Sequence, residues 1–74
     1  MTPAQIIHAR QAVKLPGKPS LHTTTQNEFA AVLGVSVRTL QSWEQGKRQP
    51  SGAAASLLKL IAAKPELLAE MKPD

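Results

Sequence analysis

A chain of 74 residues can bury one modest core, which argues against long β topologies and deep enzyme clefts and favours a compact helical unit. With no cysteine it has neither a disulfide framework nor a thiolate metal site, and His8 and His22 are too few and too far apart for a structural zinc, so no metal or cofactor is expected. Nine Lys and Arg against five Asp and Glu give a net charge of +4 and an isoelectric point near 10.0, a balance that favours an anionic partner, nucleic acid ahead of membrane.

No apolar run approaches the roughly 20 residues that cross a bilayer. The N-terminus has neither the basic start nor the apolar stretch of a signal peptide, so the expected location is cytoplasmic.

In chain order, Thr2 caps a first helix over about 3–14, with Pro3 at its first position and Ile6, Arg10 and Val13 along one face. Pro16, Gly17 and Pro19 then forbid regular helix and define a loop over 15–24. "TQNE" offers a capping box between Thr25 and Glu28 that opens a second helix over 26–33, with Phe29, Ala30 and Leu33 as its buried stripe. Gly34 ends it in the left-handed conformation. Ser36 caps a third helix over 37–45, which Gly46 stops; Leu40 and Trp43 share its inner face. Ser51 caps a fourth helix over 51–63, with Ala54, Leu57, Leu58 and Ile61 inward and Leu60 off that face. Pro65 interrupts it, and a short fifth helix over 65–71 sets Leu67, Leu68 and Met71 on one side. Leu60, Leu67, Leu68 and Met71 exceed what so small a core can cover, which predicts a homodimer interface.

Two short helices joined by a glycine turn, the second with a polar, exposed start, make a helix-turn-helix motif over 26–45. The run "TQNEFAAVLGVSVRTLQSWEQGKRQPSGAAASLLKLIAAKPELL", residues 25–68, resembles the Cro and lambda-repressor-like (Xre-type) domains and, within them, the HigA-type antitoxins of bacterial toxin–antitoxin operons. Glycines, caps and apolar positions agree together, including the "TQ" opening, "LGVS" and the basic "GKRQP" loop. The resemblance implies an all-α, five-helix lambda-repressor-like DNA-binding domain whose third helix lies in the major groove.

With Leu40 and Trp43 inward, Ser36, Val37, Arg38, Gln41, Ser42 and Gln45 occupy the outer surface of helix three. Arg38 can present a fork to guanine O6 and N7, and Val37 can touch a thymine methyl. The resemblance makes positions 37, 38 and 42 the usual base readers; Gln41 shares their surface and is assigned to the same role. It also makes Gln26 a phosphate ligand that braces helix three, and puts Lys47 and Arg48 along the DNA backbone beside Ser36 and Gln45. Read without it, Lys47 and Arg48 are a solvated pair that complements the dipole of helix three. Repressors of this family hold an arginine of the first helix against a glutamate near the end of the recognition helix; Arg10 and Glu44 match that ion pair.

Trp43, in phase with Leu40, is expected to anchor the core and not to stack on bases. Glu28 reads as a cap, and His8 and His22 as exposed spectators without a helical-spacing partner. No Ser-His-Asp order surrounds Ser36 or Ser51, so enzyme function has no support. The leading expectation is a regulator that binds double-stranded DNA at an inverted-repeat operator as a homodimer. The alternative is an antitoxin that neutralises a cognate toxin by protein binding and autoregulates its operon. A plain dimerisation scaffold is a third, blander possibility.

Overall fold

The computed structural model describes residues 1–19 and 21–67, and its elements are α1 (Pro3–Ala12), α2 (Gln26–Leu33), α3 (Val37–Glu44) and α4 (Gly52–Ala63). Among the described residues there is no strand, so the architecture is all-α with four helices. The fifth helix expected over 65–71 falls largely outside the described residues, as do Leu68 and Met71.

Local chemistry fixes most helix ends. Thr2 and Gln5 form a capping box, the Thr2 hydroxyl accepting from the Gln5 N–H at 3.1 Å and the Gln5 Oε1 accepting from the Thr2 N–H at 2.8 Å. Thr25 and Glu28 repeat it, at 3.1 and 2.9 Å. At α3 the Ser36 hydroxyl accepts from the Thr39 N–H at 3.2 Å.

Gly34 and Gly46 end α2 and α3 with one and the same device. Each takes a left-handed φ, 74° and 78°, that a side chain would make costly. After α2 the Val35 N–H bonds the Ala30 carbonyl and the Gly34 N–H bonds that of Ala31, at 3.0 and 3.2 Å; after α3 Lys47 bonds Ser42 and Gly46 bonds Trp43, at 2.9 and 3.2 Å. The first of these turns leads directly into the Ser36 cap, so α2 and α3 are joined by a short corner that two backbone bonds close.

Three expected ends move. Helix one stops at Ala12, short of position 14, because Val13 turns extended (φ −76°, ψ 134°) ahead of a segment that Pro16 keeps from helical geometry. Helix three ends at Glu44, with Gln45 as its cap residue. Ser51 stands at the start of α4 without making a side-chain cap; Gly52 opens that helix at φ 58°, an entry to which the usual hydroxyl bond does not fit.

The core joins Ile6, Ala9 and Val13 to Phe29, Ala30, Leu40, Trp43, Leu58 and Ile61. Helix α1 packs against both α3 and α4, and α2 against α3. Trp43 is 6% exposed and lies inside this cluster, as a packing anchor. Leu33, Ala54 and Leu57 are half-buried against it.

One buried polar residue was not legible as such. Thr24, fully buried, donates its hydroxyl to the Val13 carbonyl at 2.8 Å, tying the end of the 15–24 loop to the end of α1. Replacing that hydroxyl by a methyl leaves a buried carbonyl without its donor. Thr24→Val is therefore expected to lower the unfolding free energy by about 1–3 kcal/mol. Urea denaturation measures it against Thr23→Val, an exposed neighbour whose change should stay within about 0.5 kcal/mol.

Candidate nucleic-acid interface

Helix α3 presents its buried side, Leu40 and Trp43, to the core and its opposite side to solvent. Arg38 and Gln45 are exposed there, and Val37, Gln41 and Ser42 are half-buried between them. Ser36 opens this surface with its hydroxyl engaged by Thr39. Lys47 and Arg48 follow the glycine turn, both exposed; among the described residues neither they nor Arg38 form an ion pair. The result is a polar, cationic face on a helix fixed from behind.

The fixing is done by a polar network. Arg10 reaches from α1 to Glu44 at the end of α3 through two bonds, Nε to Oε2 at 2.9 Å and Nη2 to Oε1 at 3.2 Å. Its Nη1 donates to the Thr24 carbonyl at 2.9 Å, so one guanidinium holds α1, α3 and the entry to α2 together. Gln26, the first residue of α2, donates from Nε2 to Glu44 Oε1 at 3.1 Å, and Gln41 donates from Nε2 to Gln26 Oε1 at 3.3 Å. Gln26 thus contacts α3 at two positions, of which the bond to Gln41 has no signature in local sequence.

A second cluster closes the 15–24 loop onto the start of α2. Glu28 Oε1 lies 2.7 Å from His22 Nε2, and Glu28 Oε2 lies 3.2 Å from Lys18 Nζ. His22 is therefore not a spectator: it is half-buried, with Glu28 as a partner that the path of the loop supplies and helical spacing does not. Glu28 is at once cap and ion-pair acceptor. Its pKa is lowered to about 2, chiefly by the hydrogen bond from the Thr25 N–H, then by His22 and Lys18, against an opposing effect of burial. His8 is exposed on α1.

Of the apolar residues expected at a dimer interface, Leu60 is 51% exposed on α4 and Leu67 is half-buried. Among the described residues no group of His, Cys, Asp or Glu could hold a metal ion, and no helix is long and apolar enough to cross a membrane.

A profile of the helix-turn-helix family matches residues 21–59, more than half of the chain. The chain belongs to the Xre-type helix-turn-helix family. The matched span of this helix-turn-helix domain begins in the loop, takes in α2 and α3, and ends within α4. Among its relatives, the antitoxin HigA-2 of Vibrio cholerae serotype O1 is 49% identical over 43 residues, 58% of this chain and 41% of the relative. An uncharacterized HTH-type transcriptional regulator, YiaG of Escherichia coli K12, is 46% identical over 41 residues, 55% of this chain and 43% of the relative. The match thus spans about two fifths of the length of either relative. No solved structure matches.

Two expectations follow for the helix-turn-helix frame. Arg10 and Glu44 retain only 15% and 5% side-chain exposure, so Glu44→Ala strands a nearly buried cation and should cost roughly 3–5 kcal/mol. A double-mutant cycle with Arg10→Ala is expected to return a coupling of about 1–3 kcal/mol; a value near zero would detach α1 from the orientation of α3. For Glu28 the folded pKa of about 2 lies below the ordinary 4.5, so its stabilising contribution is full above the carboxylate range and disappears as pH falls through 2. Carboxyl ¹³C titration should place its midpoint near 2, with the Thr25 amide resonance unmoved down to about pH 3.

Proposed function

We propose that this domain is a sequence-specific transcriptional regulator that inserts α3 into the major groove of operator DNA. The observation that carries the reading is the outer face of α3, where Arg38 is exposed beside the half-buried Val37, Gln41 and Ser42, Val37 touching the edge of the core, while Arg10, Glu44 and Gln26 hold the helix from behind. Arg38 reads guanine through its fork, Val37 meets a thymine methyl, and Ser42 and Gln41 complete the base contacts. Ser36, Gln45, Lys47 and Arg48 lie along the phosphates on either side, with Gln26 at the start of α2. Binding is by a homodimer paired through Leu60, Leu67, Leu68 and Met71, which sets two reading helices roughly 34 Å apart on an inverted repeat. Such a protein works in the cytoplasm and carries out no catalysis.

A second reading is supported by the similarity to an antitoxin. In it the same DNA contacts serve autoregulation, and the domain's essential act is to occupy a cognate toxin. Binding to its own promoter is common to both readings. Co-purification with the product of an adjacent gene separates them.

Arg38→Ala is expected to lower affinity for the selected site by about 1–3 kcal/mol while sparing random DNA, since a base contact is lost more than a charge. Lys47→Ala should weaken all sequences alike and make the slope of log K against log salt shallower by about 0.9. Fluorescence anisotropy across a salt series measures both. Equal loss on random DNA would remove Arg38 from base reading, and an unchanged slope would return Lys47 to the solvated surface.

A further inference from the structure

The network behind α3 has a direction. A guanidinium only donates and a carboxylate only accepts, so the Arg10–Glu44 pair fixes the sense of every hydrogen bond built on it. Glu44 Oε1 already receives Arg10 Nη2 and also receives the amide of Gln26, which must therefore turn its nitrogen inward; the opposite orientation would set an amide oxygen against a carboxylate. Gln26 is left with its oxygen toward α3, and that oxygen receives Nε2 of Gln41 at 3.3 Å. Gln41 thereby has its nitrogen held on the protein side. Its Oε1 makes no hydrogen bond among the described residues, on the outer face that also carries Val37, Arg38 and Gln45.

An unbraced glutamine is indifferent to base identity in one respect: it rotates its amide to offer either a donor or an acceptor. Gln41 has lost that free rotation: one of its two N–H groups is taken by Gln26, and its oxygen is the amide atom left wholly unengaged among the described residues. In the major groove the donors that an acceptor can meet are the exocyclic amino groups, N6 of adenine and N4 of cytosine, whereas guanine O6 and thymine O4 are acceptors.

We infer that Gln41 is a polarity-fixed specificity residue that takes a hydrogen bond from an amino-bearing base, adenine or cytosine, on the strand it faces, with Gln26 as the positioning residue that transmits the polarity of the Arg10–Glu44 pair. The inference rests on the DNA-binding reading and adds to it the chemistry of one base position and its cause inside the protein. Arg38, a donor only, selects the opposite kind of edge, so adjacent positions on one helix discriminate by opposite rules.

The test uses the full chain and a pool of randomised duplex DNA. Wild-type protein should enrich a site in which one position favours adenine or cytosine over guanine and thymine on the same strand. Gln41→Ala should abolish that preference. Gln26→Leu should also flatten it, though Gln41 is intact, while the guanine preference dependent on Arg38 persists. A chemical probe removes dependence on variant folding: in the selected duplex, purine in place of adenine, or 2-pyrimidinone in place of cytosine, deletes only the amino group. Wild-type affinity should fall about three- to tenfold, the scale of one net hydrogen bond, and the affinity of Gln41→Ala should not change. Failure of wild-type protein to enrich any site would overturn the DNA-binding reading and this inference with it. An enriched site whose Gln41-dependent base is guanine or thymine, or whose preference survives Gln26→Leu, would overturn the inference alone.

Discussion

A guanidinium withdrawn from water must be met by an anion and by acceptors for its remaining N–H groups, and Arg10 is met by both. Two of its donors go to Glu44 and a third to the Thr24 carbonyl, so the same charge that would be costly alone becomes the point at which α1, α3 and the loop before α2 converge. Hydrophobic burial alone cannot fix how a short helix is rotated about its own axis, since Leu40 and Trp43 tolerate small rolls. A bidentate contact at the end of α3 and an amide contact from Gln26 restrict that roll. The surface offered by Val37, Arg38, Gln41 and Ser42 depends on it.

The same arrangement sorts charge. Of the five acidic residues only Glu28 and Glu44 precede position 66, and both are engaged: Glu44 with Arg10 and Gln26, Glu28 with Thr25, His22 and Lys18. Among the described residues Arg38, Lys47 and Arg48 are left without a carboxylate partner. Internal pairing thus does more than stabilise. It engages the negative charge nearest to the outer face of α3 and leaves the positive charge of Arg38, Lys47 and Arg48 without a carboxylate partner among the described residues, an arrangement that favours an anion over a cation there.

Features set by neighbouring residues were legible in the sequence. Thr25 with Glu28, and the glycines at 34 and 46, act through bonds that span three to six residues, so local composition is enough to specify them. Trp43 was legible through its phase with Leu40. The Arg10–Glu44 pair was legible only through a resemblance, because nothing local relates residues so far apart. Thr24 and His22 depend on where a loop carrying Pro16, Gly17 and Pro19 returns to the helices, and such a loop has no periodicity to read; the Gln26–Gln41 bond depends on how α2 and α3 cross, which neither helix alone specifies. Ser51 marks the opposite failure: a sound local signal overruled by the left-handed entry at Gly52.

Family likeness and physical dependence do not coincide in this domain. The matched span begins at residue 21, yet α1 ends before it and supplies Ile6 and Ala9, with Val13 directly after its end, to the core that receives Phe29, Leu40 and Trp43. It also supplies Arg10, the only charged group from α1 that reaches the end of α3 among the described residues. Two helices of eight residues each, joined by a glycine corner, could not exclude water from Trp43 by themselves. The helix-turn-helix motif is therefore specified in part by a segment outside it, which contributes three small or branched apolar side chains and one arginine. So short a set of requirements constrains sequence far less than the caps and glycine turns of α2 and α3 do, which is a physical reason for a family match to begin at residue 21, beyond α1.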